Sequence, residues 1–321
     1  MSSRNKVLLI GLVYIGIAIW QLNNLPFKQT AVSASVSVTP EAIFVVSGFP
    51  ITNTLLTSWI AMIILILVAV AATRQMKLVP TGVQNFFEMI IEGIFNLAES
   101  VAGARGRKFF PVAATIFLFV VISNLLGLIP GFGPIGLIEV DAKHPAPDGI
   151  LTFDIPKIFA HQHAGILAPF VRSPSTDINF PLALALISVT LTQIFGMQAL
   201  GFFGYWGKFL NFVRIGKFFA NALRGKVRIG DFLYGLLDIF VGLIELVSEI
   251  GKILSFTFRL FGNVFAGEVV LLIMSFLFLA LPLVFYGLEV FVGVIQGFVF
   301  CVLTLAFMAI ATTPHHSEEH H

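Results

Sequence analysis

The sequence is poor in cysteine and in charged residues. Its one cysteine, Cys301, excludes both a disulfide framework and a cysteine metal site. Charged residues make up 11% of the 321 residues and hydrophobic residues 57%, whereas a soluble domain averages about 25% charged residues. The net charge of +2 gives no indication of a nucleic-acid partner. The composition therefore predicts a polytopic membrane protein whose apolar segments contact lipid and each other.

Sequence motifs for nucleotide and metal chemistry are absent as well. There is no phosphate-binding loop and no nucleophile triad, so we expect no catalytic chemistry and no cofactor in this chain. The seven histidines lie outside the apolar segments. No carboxylate or thiol geometry accompanies them, so we expect solvated loop and tail positions rather than a metal site. No internal repeat is evident, which argues against an inverted-repeat transporter.

Apolar segments of bilayer length predict an all-α protein with about five spanning helices. These segments are 6–22, 55–72, 110–130, 181–203, 232–281 and 283–311. The first is either a cleaved signal peptide or a retained span, because Val32, Ser33 and Ala34 provide small residues at a suitable cleavage position. We expect an N-terminal segment with an external linker, one membrane domain and a cytoplasmic tail, at 1–48, 49–312 and 313–321.

Basic residues predict the orientation of the chain. Five lysines and arginines lie within 74–108 and six within 208–228, so the positive-inside rule places both regions in the cytoplasm. The region 131–180 lies between them in sequence and is expected on the outside. The C-terminal tail is then cytoplasmic.

The segment 81–102 has the pattern of an amphipathic helix. Apolar residues recur there at helical spacing and polar residues fall on the opposite face: Val83, Phe86, Phe87, Ile90, Ile94, Leu97 and Val101 against Gln84, Glu88, Glu92, Asn96 and Glu99. We expect this helix in the cytoplasmic interface or against another subunit.

Arg259 lies in the middle of the apolar segment 232–281. Arginine stays charged at any relevant pH, and a charge at the centre of a span costs roughly 2.5–3.5 kcal/mol on insertion scales. Arg259 therefore needs a partner. At about 100° per residue, a polar stripe lies within roughly 40° of it, formed by Glu245, Ser248, Lys252, Ser255 and Asn263.

Other intramembrane polar residues lie off this stripe. Glu268 falls on the opposite side of the same helix, and Glu289 and Gln296 share a face of the next one. Intramembrane carboxylates usually line an ion pathway. Lys252 has the spacing for a local ion pair with Glu245 or Glu249, so a structural role for these residues stays open.

The segment 232–281 is too long for a simple span. Its 50 residues would form a helix of about 75 Å, against a hydrocarbon core of about 30 Å. We therefore expect a long, strongly tilted helix with a return at Pro282, so that the C-terminus holds a pair of long helices.

The residues RLFGNVFAGE at 259–268 resemble the characteristic motif of subunit a of the F-type ATP synthase. Supporting motifs are FPITNT at 49–54, SNLLGLIPG at 123–131 and PSTDIN at 174–179. Glu289 and Gln296 also stand at the family's spacing. The resemblance covers roughly 49–311.

This resemblance implies a stator subunit that passes protons through two offset half-channels to and from a ring of c subunits, which couples ion flow to rotation. Arg259 would face the ring carboxylate and separate the half-channels. Glu268, Glu289, Gln296 and Asn263 would line the external half-channel, and Glu245, Ser248 and Ser255 the cytoplasmic one. Some relatives carry a histidine at the position of Glu289, so this chain would form a pair of carboxylates instead.

The family also implies partners and a location. These are the c ring, b-type peripheral stalk subunits and the lipid of an energy-coupling membrane, most commonly the bacterial inner membrane. Nucleotides would bind to other subunits. Three alternatives stay open at this point: Na⁺ as the coupling ion, a stand-alone transporter with Arg259 as a substrate-binding residue, and a structural anchor.

Overall fold

The computed structural model describes most of the chain from residue 39 onward, and that part is largely helical. The described residues are 39–46, 48–74, 76, 77, 79, 80, 82–129, 136–139, 166–207, 209, 229–277 and 281–313. The predicted segment 6–22, the cleavage position, all seven histidines and the tail beyond 313 lie outside them.

Seven α-helices and two short β-hairpins make up the regular structure of the described residues. The helices are α1 Asn53–Thr73, α2 Val83–Ala102, α3 Gly106–Gly127, α4 Asn179–Leu200, α5 Phe202–Trp206, α6 Ile229–Leu277 and α7 Leu281–Ala311. The antiparallel hairpins pair β1 Ala42–Val46 with β2 Phe49–Thr52, and β3 Gly136–Glu139 with β4 Ile166–Pro169. Single 3₁₀ turns, Gly103–Arg105 and Pro174–Thr176, precede α3 and α4.

Four helical stretches in the described part of the chain are long and apolar enough to cross a membrane: Asn53–Thr73, Val83–Gly127, Asn179–Leu200 and Pro282–Ala311. The prediction of a polytopic helical membrane protein is confirmed, with two short β-hairpins in addition to the helices. The long helix α6 is not one of these four; it carries seven charged residues along its 49. Its unbroken course from Ile229 to Leu277 agrees with the single long helix expected at 232–281.

Local sequence explains where several helices begin and end. Thr52 caps α1, because its hydroxyl oxygen accepts a hydrogen bond from the Leu55 N–H at 3.3 Å. Gly201 ends α4 three residues earlier than hydropathy predicts. Its φ of +76° is a left-handed conformation that glycine adopts without a steric cost. The chain then forms the short helix α5.

The amphipathic helix α2 packs against its own chain. Ile94 and Ala98 are buried in a cluster with Phe109 and Ala113 of α3 and Leu305 of α7. The apolar face predicted for α2 packs against this cluster from Ile90 onward, through Ile90, Ile94, Leu97 and Val101, and the neighbour itself was not predicted. The first turns of α2 do not pack against the cluster, because Val83, Phe86 and Met89 are exposed there.

A second buried cluster attaches α6 to the rest of the bundle. Phe256 and Leu260 of α6 pack with Leu184 of α4 and Phe300 of α7. The rings of Phe256 and Phe300 stack with centroids 4.5 Å apart. Because Phe256 and Leu260 flank Arg259 in sequence, this packing fixes the rotation of α6 about its axis and directs Arg259 away from the bundle.

Glycines let α7 and α3 approach closely. A Cβ atom on Gly297 would lie 2.7 Å from Val121 Cγ2, and one on Gly293 would lie 3.2 Å from Asn124 Cβ. The two glycines are four residues apart, the spacing typical of close helix contacts in membranes. On α7, Gln296 and Glu289 lie beside α6.

Candidate functional site

Arg259 projects from an uncovered face of α6. Its side chain is exposed, and its guanidinium Nη2 lies 3.5 Å from Ser255 Oγ, one helical turn away. Among the described residues, no carboxylate forms an ion pair with it. The cation that the sequence analysis singled out is therefore held in place by packing on either side of it rather than by a counter-ion.

The uncovered face around Arg259 is lined by small residues. Ser248 and Ser255 are exposed, and a Cβ atom on Gly251 or Gly262 would have nothing within 4 Å. The predicted polar stripe is thus present, and another helix could approach it closely.

The structure brings Asn263 and Gln296 together. The Asn263 side-chain amide donates to Gln296 Oε1 at 2.8 Å, and Gln296 is buried. The bond joins α6 to α7 one helical turn beyond Arg259. Two of the four residues predicted for the external pathway are thus in direct contact.

Glu289 lies against the backbone of α6. Its carboxylate occupies the space that a Cβ atom on Gly267 would fill. A glycine on a helix can admit another helix at close range. Gly267 does so within the chain, by accommodating Glu289 of α7, whereas Gly262 stays open. The neighbouring residue Glu268 is partly buried, so the contact brings the two predicted carboxylates to the same region.

Glu268 has a partner that the sequence analysis missed. The Arg172 guanidinium donates from Nε to both Glu268 oxygens, at 3.1 and 3.2 Å, and from Nη2 to Oε2 at 3.1 Å. Arg172 is only 5% exposed. It falls within the region 131–180 that the sequence assigned to an external loop. The sequence did offer one indication that Arg172 is buried, which is its position between the apolar residues 164–171 and the motif PSTDIN.

The motifs scattered along the sequence meet at this end of the bundle. Thr54 of FPITNT donates to Asp177 of PSTDIN at 3.0 Å. Ser175 donates to Asn124 of SNLLGLIPG at 2.6 Å, and Asn124 in turn donates to the Gly293 carbonyl of α7 at 3.2 Å. These buried hydrogen bonds anchor the segment that carries Arg172.

The middle of α6, on the N-terminal side of Arg259, holds a second polar network. Lys252 Nζ lies 2.6 Å from Glu249 Oε1, so Lys252 pairs with Glu249 rather than with Glu245. The Gln193 amide of α4 donates to Glu249 at 2.9 Å, and the Tyr205 hydroxyl donates to Gln193 at 2.5 Å. Glu245 is partly buried, and Ser248 and Ser255 are exposed on the uncovered face.

Tyr205 lies outside the spanning segments, on the short helix α5, and is almost fully buried. Burial raises its pKa to about 12, and the negative charges of Glu249 and Glu245 act in the same direction. The phenol therefore stays protonated at physiological pH and keeps donating its hydrogen bond to Gln193.

Within the part of the chain that the structure describes, no group of three His, Cys, Asp or Glu side chains could hold a metal ion. The available chemistry is that of carboxylates, amides and hydroxyls beside fixed cations. Such groups transfer protons and stabilise charge. A polytopic helical bundle with charged and polar side chains on its apolar helices is typical of an ion-translocating membrane subunit.

Comparison with known proteins makes this class specific. The family described as ATP synthase A chain matches residues 55–309, and the chain belongs to this family. It is 32% identical over 256 residues to ATP synthase subunit a of Syntrophobacter fumaroxidans, covering 78% of this chain and 81% of that protein. It is 30% identical over 273 residues to ATP synthase subunit a of Moorella thermoacetica, and the match covers 85% of this chain and 96% of that protein. Subunit a of Helicobacter pylori is 30% identical over 250 residues, covering 77% and 84%.

Family membership and fold together define what the chain does. It is the proton-translocating stator subunit of an F-type ATP synthase, and it works in a membrane as part of that complex. The alternatives considered from the sequence, including a stand-alone transporter, are not favoured by these relatives.

Proposed function

We propose that Arg259 is the charge that faces the carboxylates of a c ring and separates two half-channels. One observation carries this proposal: the cation has no carboxylate partner among the described residues and stands on an uncovered face lined by small residues. A counter-ion that arrives with the ring and leaves again would satisfy both conditions.

Electrostatics gives Arg259 a strong effect on such a carboxylate. Two opposite charges 4 Å apart, at an effective dielectric constant of about 20, attract by about 4 kcal/mol. That energy corresponds to a shift of roughly three pKa units in the visiting carboxylate. The ring carboxylate would therefore release its proton on reaching Arg259, while Arg259 itself cannot carry the proton onward.

Residues on either side of Arg259 would form the two proton pathways. Asn263, Gln296, Glu268 and Glu289 would line the external half-channel, supported by their contacts between α6 and α7. Glu245, Ser248 and Ser255 would line the cytoplasmic one. Glu245 lies 14 residues before Arg259, on the order of 21 Å along the helix.

The partners and location follow as part of the same proposal. The chain would bind the c ring through the uncovered face of α6 and b-type peripheral stalk subunits elsewhere. It would reside in the inner membrane of a bacterium, with 49–312 as its membrane domain and its C-terminus in the cytoplasm. The bacterial relatives and the basic regions 74–108 and 208–228 support this orientation.

Cysteine crosslinking tests whether the ring sits on this face. In a Cys301→Ser background, Ser248→Cys and Ser255→Cys are expected to form disulfides with cysteines placed beside the ring carboxylate. Ile250→Cys is the matched control, because Ile250 is also exposed but points about 180° away from Arg259. Crosslinks from Ile250→Cys alone would contradict the proposed face.

A further inference from the structure

Arg172 is a buried cation at the external end of α6. Its guanidinium contacts Glu268 through two nitrogen atoms, with all three distances between 3.1 and 3.2 Å. Such a two-point contact fixes both the position and the orientation of a carboxylate. Glu268 is thus held in one orientation by a fixed partner.

The segment that carries Arg172 is itself anchored. The Arg172 N–H donates to Thr57 Oγ1 of α1 at 3.2 Å. A few residues further on, Asp177 accepts from Thr54, and Ser175 donates to Asn124 of α3. Because these groups are buried, moving Arg172 would break several hydrogen bonds at once.

Glu289 is in the opposite situation. Its carboxylate lies against Gly267, and within the described residues it makes no hydrogen bond and no ion pair. The only acidic residue on α7 is therefore unpaired, beside a glutamate that is paired. Glu289 is therefore freer than Glu268 to bind and release a proton.

Charged groups near this pair are few. Helices α1 and α4 contain no charged residue, and Glu289 is the only one in α7. Two charged residues border the Pro174–Thr176 turn, the cation Arg172 and the anion Asp177. Asp177 accepts hydrogen bonds from Thr54 and Asn179. On α6 the nearest other charge is Arg259, nine residues from Glu268. Among these described residues, Arg172 is the cation that contacts Glu268, and no cation forms an ion pair with Glu289.

We infer that Arg172 is a positioning residue of the external half-channel: it holds Glu268 as a fixed ion pair and leaves Glu289 as the carboxylate that exchanges protons. Glu289 would take a proton from external water and give it to the ring carboxylate, while Arg172 and Glu268 both stay charged. This inference rests on the proposed function of the external pathway.

The test uses the whole ATP synthase in vesicles, with proton flux normalised to assembled complex. Glu289→Gln is expected to lower flux at least about tenfold. Arg172→Gln leaves the partly buried Glu268 unpaired and Glu268→Gln leaves the buried Arg172 unpaired, so each should also lower the flux. The double variant Arg172→Gln/Glu268→Gln removes both charges, so it should carry more flux than either single variant, within about threefold of the wild type.

The pH profile separates positioning from a merely structural role. In Arg172→Gln, two carboxylates would share the site without a cation and retain one proton between them. The pH of half-maximal flux should then rise by about one unit or more. Arg172→Lys keeps the charge and should leave that pH unchanged. A loss of flux in Arg172→Gln with no shift in pH would assign Arg172 to folding alone and overturn the inference.

The remaining outcomes distinguish the inference from the proposed pathway. Full flux in Glu289→Gln, with the double variant inactive, would make Glu268 the exchanging group and overturn only the division of roles. Full flux in both Glu289→Gln and Glu268→Gln would overturn the external pathway itself.

Discussion

Replacing Arg259 by alanine is expected to abolish proton-driven ATP synthesis while leaving the complex assembled. The attraction lost is about 4 kcal/mol, which corresponds to about a thousandfold in the equilibrium that ionises the ring carboxylate. Without the cation, the carboxylate would pass the divide still protonated, and the two pathways would be joined. ATP synthesis in vesicles under an imposed proton gradient measures the first effect, and passive proton leakage measures the second.

Lysine should be a poor substitute at position 259. An ammonium group loses its proton more readily on burial than a guanidinium does, and it cannot form a two-point contact.

The matched control for Arg259→Ala is Arg107→Ala, which removes a cation whose side chain is 76% exposed and lies 3.7 Å from Glu99. Exposed ion pairs contribute little, so this variant should retain nearly full synthesis. Coupled synthesis in Arg259→Ala at the level of Arg107→Ala would refute the proposed role.

Replacing Gly267 by alanine should lower proton flux at least about tenfold, although it adds a single methyl group. The new Cβ would occupy the space of the Glu289 carboxylate, and overpacking of this kind typically costs about 1–3 kcal/mol. Glu289 would be displaced from its place against the α6 backbone at Gly267. Proton flux in vesicles and the amount of assembled complex are the two measurements.

Gly287→Ala is the matched control for this change. Gly287 lies on α7 two residues before Glu289, and a Cβ atom there would have nothing within 4 Å. Alanine also favours a helix over glycine by up to about 1 kcal/mol, so both variants should gain in local helix stability. If the two variants conduct equally, the contact between Gly267 and Glu289 has no part in proton transfer.

Hydropathy was sufficient to predict the main helices. The segments expected at 55–72, 232–281 and 283–311 correspond to Asn53–Thr73, Ile229–Leu277 and Leu281–Ala311, because long apolar runs have few other stable forms in lipid. The two β-hairpins were not predicted, since strands of four or five residues are too short to show a clear period.

The candidate site was predictable only in part. Arg259 stands out because a charge in an apolar run is costly. Helical spacing pointed to Asn263, Gln296 and Glu289 as intramembrane polar residues, and the family resemblance gave them their expected roles. The ion pair between Arg172 and Glu268 was not predicted, because 96 residues separate the two in sequence and hydropathy places Arg172 in a loop. The choice of Glu249 over Glu245 as the partner of Lys252 depended on side-chain packing, which helical spacing alone does not determine.

The unbroken course of α6 has a consequence for how such a chain can vary. Glu245, Arg259 and Glu268 all lie on one helix, so their separations and relative directions are set by its rise and turn. Inserting a single residue between any two of them would rotate one against the other by about 100° and shift it by about 1.5 Å. Changes in length must therefore accumulate outside 245–268.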